Sequence, residues 1–310
     1  MSERSIELTA AEAGQRLDRY LRKLLRHVPL GAIMKQLRSG RIRVDGHKAK
    51  PELRLEAGMV VLLQLPAADL DAVDAGGLRR DQAGGPEPDF ALRIEYADDD
   101  MMVVQKPSGL AVHAGSGHER RSVVAWLDAS GRGVRTATFA PSPAHRLDRE
   151  TSGLLAIGLS PAGLGGLTAA FRDDLVRKVY FAVVAAEPVP ARGTIDAPLL
   201  AVASASASEP KVRVDAGGRS ARTDYETVAA GGRFALLRLV LHTGRTHQIR
   251  AHLAHIGHPV VGDRRYGRID GRGSRLMLHA GELALPHPVT GAPLRFAMPT
   301  PREFKELVGR

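Results

Sequence analysis

The segment PAHRLDRETSGLLAIG, residues 143–158, holds a carboxylate whose neighbours equip it for chemistry. Asp148 lies between Arg146 and Arg149, directly ahead of an almost uncharged run that reads as a buried strand. The flanking guanidinium groups favour its ionised form. An ionised carboxylate at the mouth of a sheet can act as a nucleophile or as a base. The same types would also suit a structural ion pair or a turn cap. Ser152 and His145 are too close in sequence to Asp148 to suggest a hydrolase triad, and no G-x-S-x-G elbow is present.

A second cluster is HTGRTHQIRAHLAHIGHPVVGDRRYG, residues 242–267. Thr243 or Thr246 can open a helix whose buried stripe is Ile249, Leu253 and Ile256. Its histidines raise a metal reading, but H-E-x-x-H is absent and the nearest carboxylate, Asp263, lies beyond the helix. Arg245, Arg250, Arg264 and Arg265 instead suit phosphates or carboxylates, and Gly244, Gly257, Pro259 and Gly262 fix the backbone around them. Two smaller signals are VVQKPSGLAVHAGSG, a strand ending in a turn that either positions Lys106 and His113 beside a substrate or is simply a turn, and RKVYFAVV, which puts Tyr180 in an apolar strand. Such a tyrosine is a core residue or a stacking surface for a base.

The elements that must position these groups can be read around them. Short strand-like runs (MMVVQ, LLAIGLS, VYFAVVA, FALLRLVL, RLMLHA) with helices over 161–173 and 246–256 predict an α+β domain over 90–310, with a mixed, mainly antiparallel sheet. No G-x-G-x-x-G or Walker A segment occurs, so no nucleotide cofactor is expected. Ahead of this domain, Leu17, Tyr20, Leu21, Leu24, Leu25 and Val28 recur at helical spacing, and Arg16, Arg19, Arg22, Lys23 and Arg26 occupy the other side. Ile33, Met34 and Leu37 form a second helix stopped at Ser39-Gly40. A hairpin on Asp45-Gly46, carrying Arg41, and a strand ending at Pro66 complete a unit of residues 1–66. Residues 67–89, rich in Gly, Pro, Ala and Asp, read as a flexible acidic linker.

The net charge of +10 is unevenly distributed. Residues 1–66 carry 13 Lys/Arg against 7 Asp/Glu, residues 67–100 carry 3 against 10, and the remainder 28 against 17. Two basic bodies flanking an acidic connector suit a polyanion such as nucleic acid. Arginine makes up 36 of the 44 basic residues, which a GC-rich genome would also favour. The absence of cysteine excludes disulfides and thiolate metal sites, and no stretch has the length of a membrane span. A cytoplasmic protein is the expectation.

HRLDRETSG, KVYFAVV and GRTHQIRAH, in that order, resemble the signature segments of the RluA family of RNA pseudouridine synthases. KPSGLAVHAGSG, GHPVVGDRRYG and LMLHAGELALPHPVTGAPLRF are also similar to family segments, and the front unit resembles an S4 RNA-binding domain. The pattern is closest to the RluC subgroup, which acts on large-subunit (23S) ribosomal RNA. Gln105 departs from the Asn usual before Lys-Pro. The resemblance implies a cofactor-free and metal-free isomerase of uridines in ribosomal RNA. Asp148 would be the catalytic aspartate, Arg250 its ion-pair partner and Tyr180 the ring against the uracil. Arg146 would help take the base out of the RNA. Beside it, His145, Thr151, Lys106, Arg245 and His247, together with Arg16, Arg19 and Arg41 of the front unit, are expected on the RNA-facing surface. A monomer is expected. The alternative is a non-catalytic RNA-binding or ribosome-assembly protein that retains the fold.

Overall fold

The computed structural model describes residues 2–73, 90–114, 121–202, 211–267 and 275–309. The front of the chain runs β1 (Ser2–Glu7), α1 (Leu17–Leu24), α2 (Leu30–Ser39), β2 (Ile42–Val44), β3 (His47–Lys48) and β4 (Val60–Leu65), with sheet order β1-β4-β2-β3. The apolar stripe of α1 is buried as its spacing predicts, with Leu17, Tyr20 and Leu21 fully enclosed. Asp45 and Gly46 both adopt positive φ at the β2–β3 turn, as a tight hairpin requires. The strand β1 has no apolar alternation to announce it, because as an edge strand it is almost entirely exposed. Residues 67–73 are helical, and Leu70 and Val73 are buried in the front unit's own core. The linker expected from residue 67 therefore begins later, and its remainder, 74–89, lies outside the described residues.

The second body is built on one large sheet. Its strands are β5 (Arg93–Ala97), β6 (Met101–Lys106), β7 (Ser142–Pro143), β8 (Ser152–Gly158), β9 (Arg177–Ala185), β10 (Arg192–Asp196), β13 (Arg222–Gly231), β14 (Phe234–Leu241), β15 (Leu278–Pro286) and β16 (Pro293–Ala297). A separate hairpin, β11 (Leu199–Val202) with β12 (Lys211–Val214), stands beside it. The order is β10-β13-β14-β9-β15-β8-β6-β5, with β16 on β15 and β7 on β8. Only the β15–β8 pair is parallel among these described strands, as expected of a mixed, mainly antiparallel sheet. The helices are α3 (Val123–Ala129), α4 (Pro161–Arg172), α5 (Gln248–His255) and α6 (Arg302–Val308).

The strand β8 is buried at all seven positions because both its faces are covered. Leu155 and Ile157 enter the main core, whereas Leu154 and Ala156 face the cluster closed by Leu167 and Ala170 of α4. A strand between two layers needs no polar alternation, which explains its uniformly apolar sequence. The register also sets the site. Gly153 pairs with Ala280 and Ala280 with Tyr180, so β8, β15 and β9 are level in one row. The loop 146–151 that feeds β8 is thereby carried over Tyr180. Gly153 has φ +125, and a Cβ there would run into the Ala280 carbonyl. Only glycine permits this crossing.

The two bodies touch at the turn 136–139. Reciprocal hydrogen bonds between Thr136 and Phe139 close the turn, and its tip, Ala137, packs against the front unit's core. Thr138 Oγ1 donates to Glu12 Oε1 at 3.3 Å, and Glu12 is only 2% exposed.

Candidate active site

Three elements converge on an open cleft. The loop before β8 supplies Arg146, Leu147, Asp148 and Thr151. β9 supplies Tyr180, and the loop 244–247 with α5 supplies Gly244, Arg245, His247, Gln248, Ile249 and Arg250. Leu241 and Leu278 add apolar floor.

Arg250 is held from both ends of its guanidinium. Nε donates to Asp263 Oδ2 at 2.8 Å and Nη2 to Asp263 Oδ1 at 2.9 Å, while Nη1 donates to Asp148 Oδ2 at 3.0 Å. Asp263 has no exposed side-chain surface, and its Oδ1 also accepts the backbone N–H groups of Arg265 and Tyr266. The fork of the guanidinium matches the carboxylate in two bonds, which fixes its plane. Burial would lower the pKa of Arg250, but the bonds and charges of Asp263 and Asp148 more than reverse this. Burial likewise pushes the Asp263 carboxyl up, and Arg250 with the two amides brings it below the usual carboxylate range. The ring of Tyr266 lies under the guanidinium, 5.3 Å from its carbon. The family resemblance implied the pairing of Arg250 with Asp148, whereas Asp263 entered only as a carboxylate beyond the helix and not as a partner of Arg250. Its signal was the turn GDRRYG after the helix, in which one carboxylate can accept backbone amides and reach back to α5.

The helix α5 begins later than its threonines predict. Gln248 is buried, and its amide is used in full. Oε1 accepts from Thr243 Oγ1 and the Arg245 N–H, while Nε2 donates to the Arg222 carbonyl and to Thr223 Oγ1. These bonds draw 243–247 into a closed loop, so the N-cap falls on His247, in the left-handed region at φ 53. Ile249 and Leu253 are buried as the stripe predicts. The histidines of this segment diverge. His242 pairs with Asp224, His252 is enclosed between Thr223 and the Ala197 carbonyl, and His258 bonds the Ala185 carbonyl. No group of three or more His, Cys, Asp or Glu side chains among the described residues could hold a metal.

Tyr180 is 9% exposed, and burial first, then the charge of Asp148, raises its hydroxyl pKa. Arg146 is exposed on the cleft wall and makes no hydrogen bond or ion pair with a described residue. Thr151 is buried, its N–H closing a turn on the Asp148 carbonyl at 3.0 Å. Arg245 stands at the rim, with Nε on the Ser220 carbonyl at 3.0 Å.

Two residues expected on the RNA-facing surface are turned elsewhere. Lys106 is 1% exposed, and its ammonium donates to the carbonyls of Pro107, Leu110 and Arg149 at 2.7–2.9 Å. Its three N–H groups are spent tying the Lys-Pro-Ser-Gly turn to the loop that carries Asp148, and burial lowers its pKa to about 7. His145 accepts the Ala156 N–H at Nε2 and stacks on Phe171 at 4.5 Å, on the side of the sheet away from the cleft. In the front unit, Arg19 and Arg41 are exposed, whereas Arg16 is engaged twice by Asp18 at 3.1 and 2.8 Å.

Human RNA pseudouridylate synthase domain containing 1 superposes with a TM-score of 0.57 at 26% identity, covering 67% of this chain and 83% of that one. Residues 100–255 match the family described as RNA pseudouridylate synthase. Ribosomal large subunit pseudouridine synthase C of Vibrio vulnificus is 33% identical over 98% of this chain and 95% of its own length. The protein of that name from Escherichia coli K12 is 36% identical over 97% and 94%. The chain belongs to the RNA pseudouridylate synthase family and is an RNA pseudouridine synthase.

Proposed function

We propose that the cleft receives one uridine drawn out of large-subunit ribosomal RNA and converts it to pseudouridine, with Asp148 as the catalytic group. The observation that carries this is the chain Asp263–Arg250–Asp148, which presents one oriented carboxylate above the Tyr180 ring. The reaction breaks the bond from ribose C1′ to N1 and forms one from C1′ to C5. C5 gives up a proton and N1 gains one, so charge and oxidation state are conserved. A single carboxylate suffices for this, as nucleophile at C1′ or as base toward the sugar.

Extruding the nucleotide costs a few kcal/mol, about what stacking and phosphate contacts return. Tyr180, Leu241 and Leu278 offer a flat apolar bed to the base. Arg146, exposed at the rim beside Asp148, is placed to fill the gap left in the RNA, and Arg245 to meet a phosphate. The front unit acts as an S4-type grip through Arg19, Arg41 and their basic neighbours on α1 and α2. Arg16, paired with Asp18, orders the start of α1. The working form is a cytoplasmic monomer. No helix among the described residues is long and apolar enough to cross a membrane.

The test is pseudouridine mapping on rRNA fragments incubated with the protein. Asp148→Asn is expected to bind these fragments with wild-type affinity and to form no product. Product at the wild-type rate would remove Asp148 from its role.

A further inference from the structure

The two carboxylate oxygens of Asp148 are in different surroundings. Oδ2 accepts Arg250 Nη1 at 3.0 Å, and His247 Nε2 stands 3.8 Å from the same atom. Oδ1 receives no hydrogen bond from a described residue. A carboxyl held by one N–H can still turn about its Cβ–Cγ bond and exchange its oxygens. A second donor directed at the same oxygen opposes that rotation.

His247 is built for this purpose. Its side chain is 3% exposed, and its φ of 53 is a conformation a non-glycine residue keeps only when its surroundings impose it. Imposed here by the closed loop on Gln248, it directs the imidazole into the cleft wall. Nδ1 lies 3.0 Å from the Tyr266 hydroxyl, which accepts the Val212 backbone N–H at 2.9 Å. An amide only donates, so that bond takes a lone pair of the phenol and leaves its proton for Nδ1. With Nδ1 accepting, the ring proton sits on Nε2, the nitrogen that faces Asp148.

We propose that His247, held by Tyr266 as the Nε2–H tautomer, is a positioning residue that joins Arg250 on Asp148 Oδ2 and reserves Oδ1 for the substrate. This rests on Asp148 being the catalytic group. Contacts of this length in a free enzyme tighten when substrate fills the site. Tyr266 thereby serves twice, with its ring beneath Arg250 and its hydroxyl on His247. Strand β12 is tied to the carboxylate through the same hydroxyl.

His247→Gly is the informative variant, because glycine accepts the left-handed backbone and leaves a ring-sized space beside Asp148. Its single-turnover rate on an rRNA fragment is expected to fall on the order of 10²-fold with little change in RNA affinity. Imidazole added at about pH 8.5, where it is neutral, should restore much of the rate. 1-Methylimidazole, which fills the same space without an N–H, should not. A wild-type rate in His247→Gly, or equal rescue by both compounds, overturns the proposal. Should that variant fail to fold, Tyr266→Phe keeps the ring and removes only the hydroxyl. A slower rate at unchanged affinity supports the proposal there, and a wild-type rate refutes it. Asp148→Asn run alongside separates the two levels. Product from that variant defeats the reading of Asp148 itself, whereas its inactivity beside a fully active His247→Gly defeats only the role of His247.

Discussion

Arg250 works between two carboxylates of unequal duty. Asp263, without solvent contact, takes two of its N–H groups and sets the plane of the guanidinium; Asp148, 25% exposed, takes one and faces the cleft. In Asp263→Asn the guanidinium loses its anchor, and an ångström of drift at Asp148 is expected to slow conversion on the order of 10²-fold. The RNA dissociation constant should change little, because Asp263 lies behind the site. Single-turnover kinetics beside a filter-binding titration would check both. Part of this was legible in the residues themselves. A carboxylate between arginines before an apolar strand, and an arginine in a glycine-bounded basic helix, are conspicuous types in conspicuous places. Asp263 was not, because a carboxylate in a turn looks the same whether it caps backbone amides in solvent or clamps a buried guanidinium. The directions of Lys106 and His145 were hidden for the converse reason: a polar type in a strand-ending turn, or beside Asp148 in the chain, reads as functional until its direction is known.

The close approach of β8 to β15 determines whether the Asp148 loop sits over Tyr180 at all. Gly153 meets two penalties on substitution, a φ of +125 and a Cβ against the Ala280 carbonyl. Gly153→Ala is expected to destabilise the protein by about 3 kcal/mol or more, summing backbone strain and overpacking. Urea denaturation would measure this as a lower midpoint with an unchanged slope. LLAIGLS announced its strand because burial on both faces leaves a uniform apolar signature, whereas FALLRLVL is only part-buried and carries Arg238 among its apolar residues. The start of α5 was legible only in part. Thr243 and Thr246 are ordinary cap residues, but Gln248 redirects the chain through four hydrogen bonds that no local pattern reveals.

Across the whole molecule, several histidines are buried neutral. Burial pushes His145 down to about 3 and His279 to about 4, the nearby charges of Lys178 and Arg275 adding to the effect. Both folded values lie below the unfolded value near 6.5, so as pH falls the unfolded chain takes up protons first. Stability is thus fully present above about pH 6.5 and is lost as pH falls toward 3–4, by about 2 kcal/mol per histidine between pH 6.5 and 5. Denaturant titrations at the two pH values would show this, and His145→Gln, which keeps an acceptor for the Ala156 N–H, should remove its share of the difference. The contact of the turn 136–139 with the front unit was not visible in the sequence, since Ala137 and Thr138 are unremarkable residues in a short turn. Ala137→Asp would put a carboxylate against the front unit's apolar core and is expected to part the bodies, raising the radius of gyration in small-angle scattering while the large sheet keeps its melting temperature. That turn, ten residues upstream of Asp148, also means that shortening the protein to its larger half would uncover an alanine knob and two threonines otherwise shielded from water. The amputated fragment would carry a fresh sticky spot at that turn, so a fair comparison should carry Ala137→Ser to blunt it.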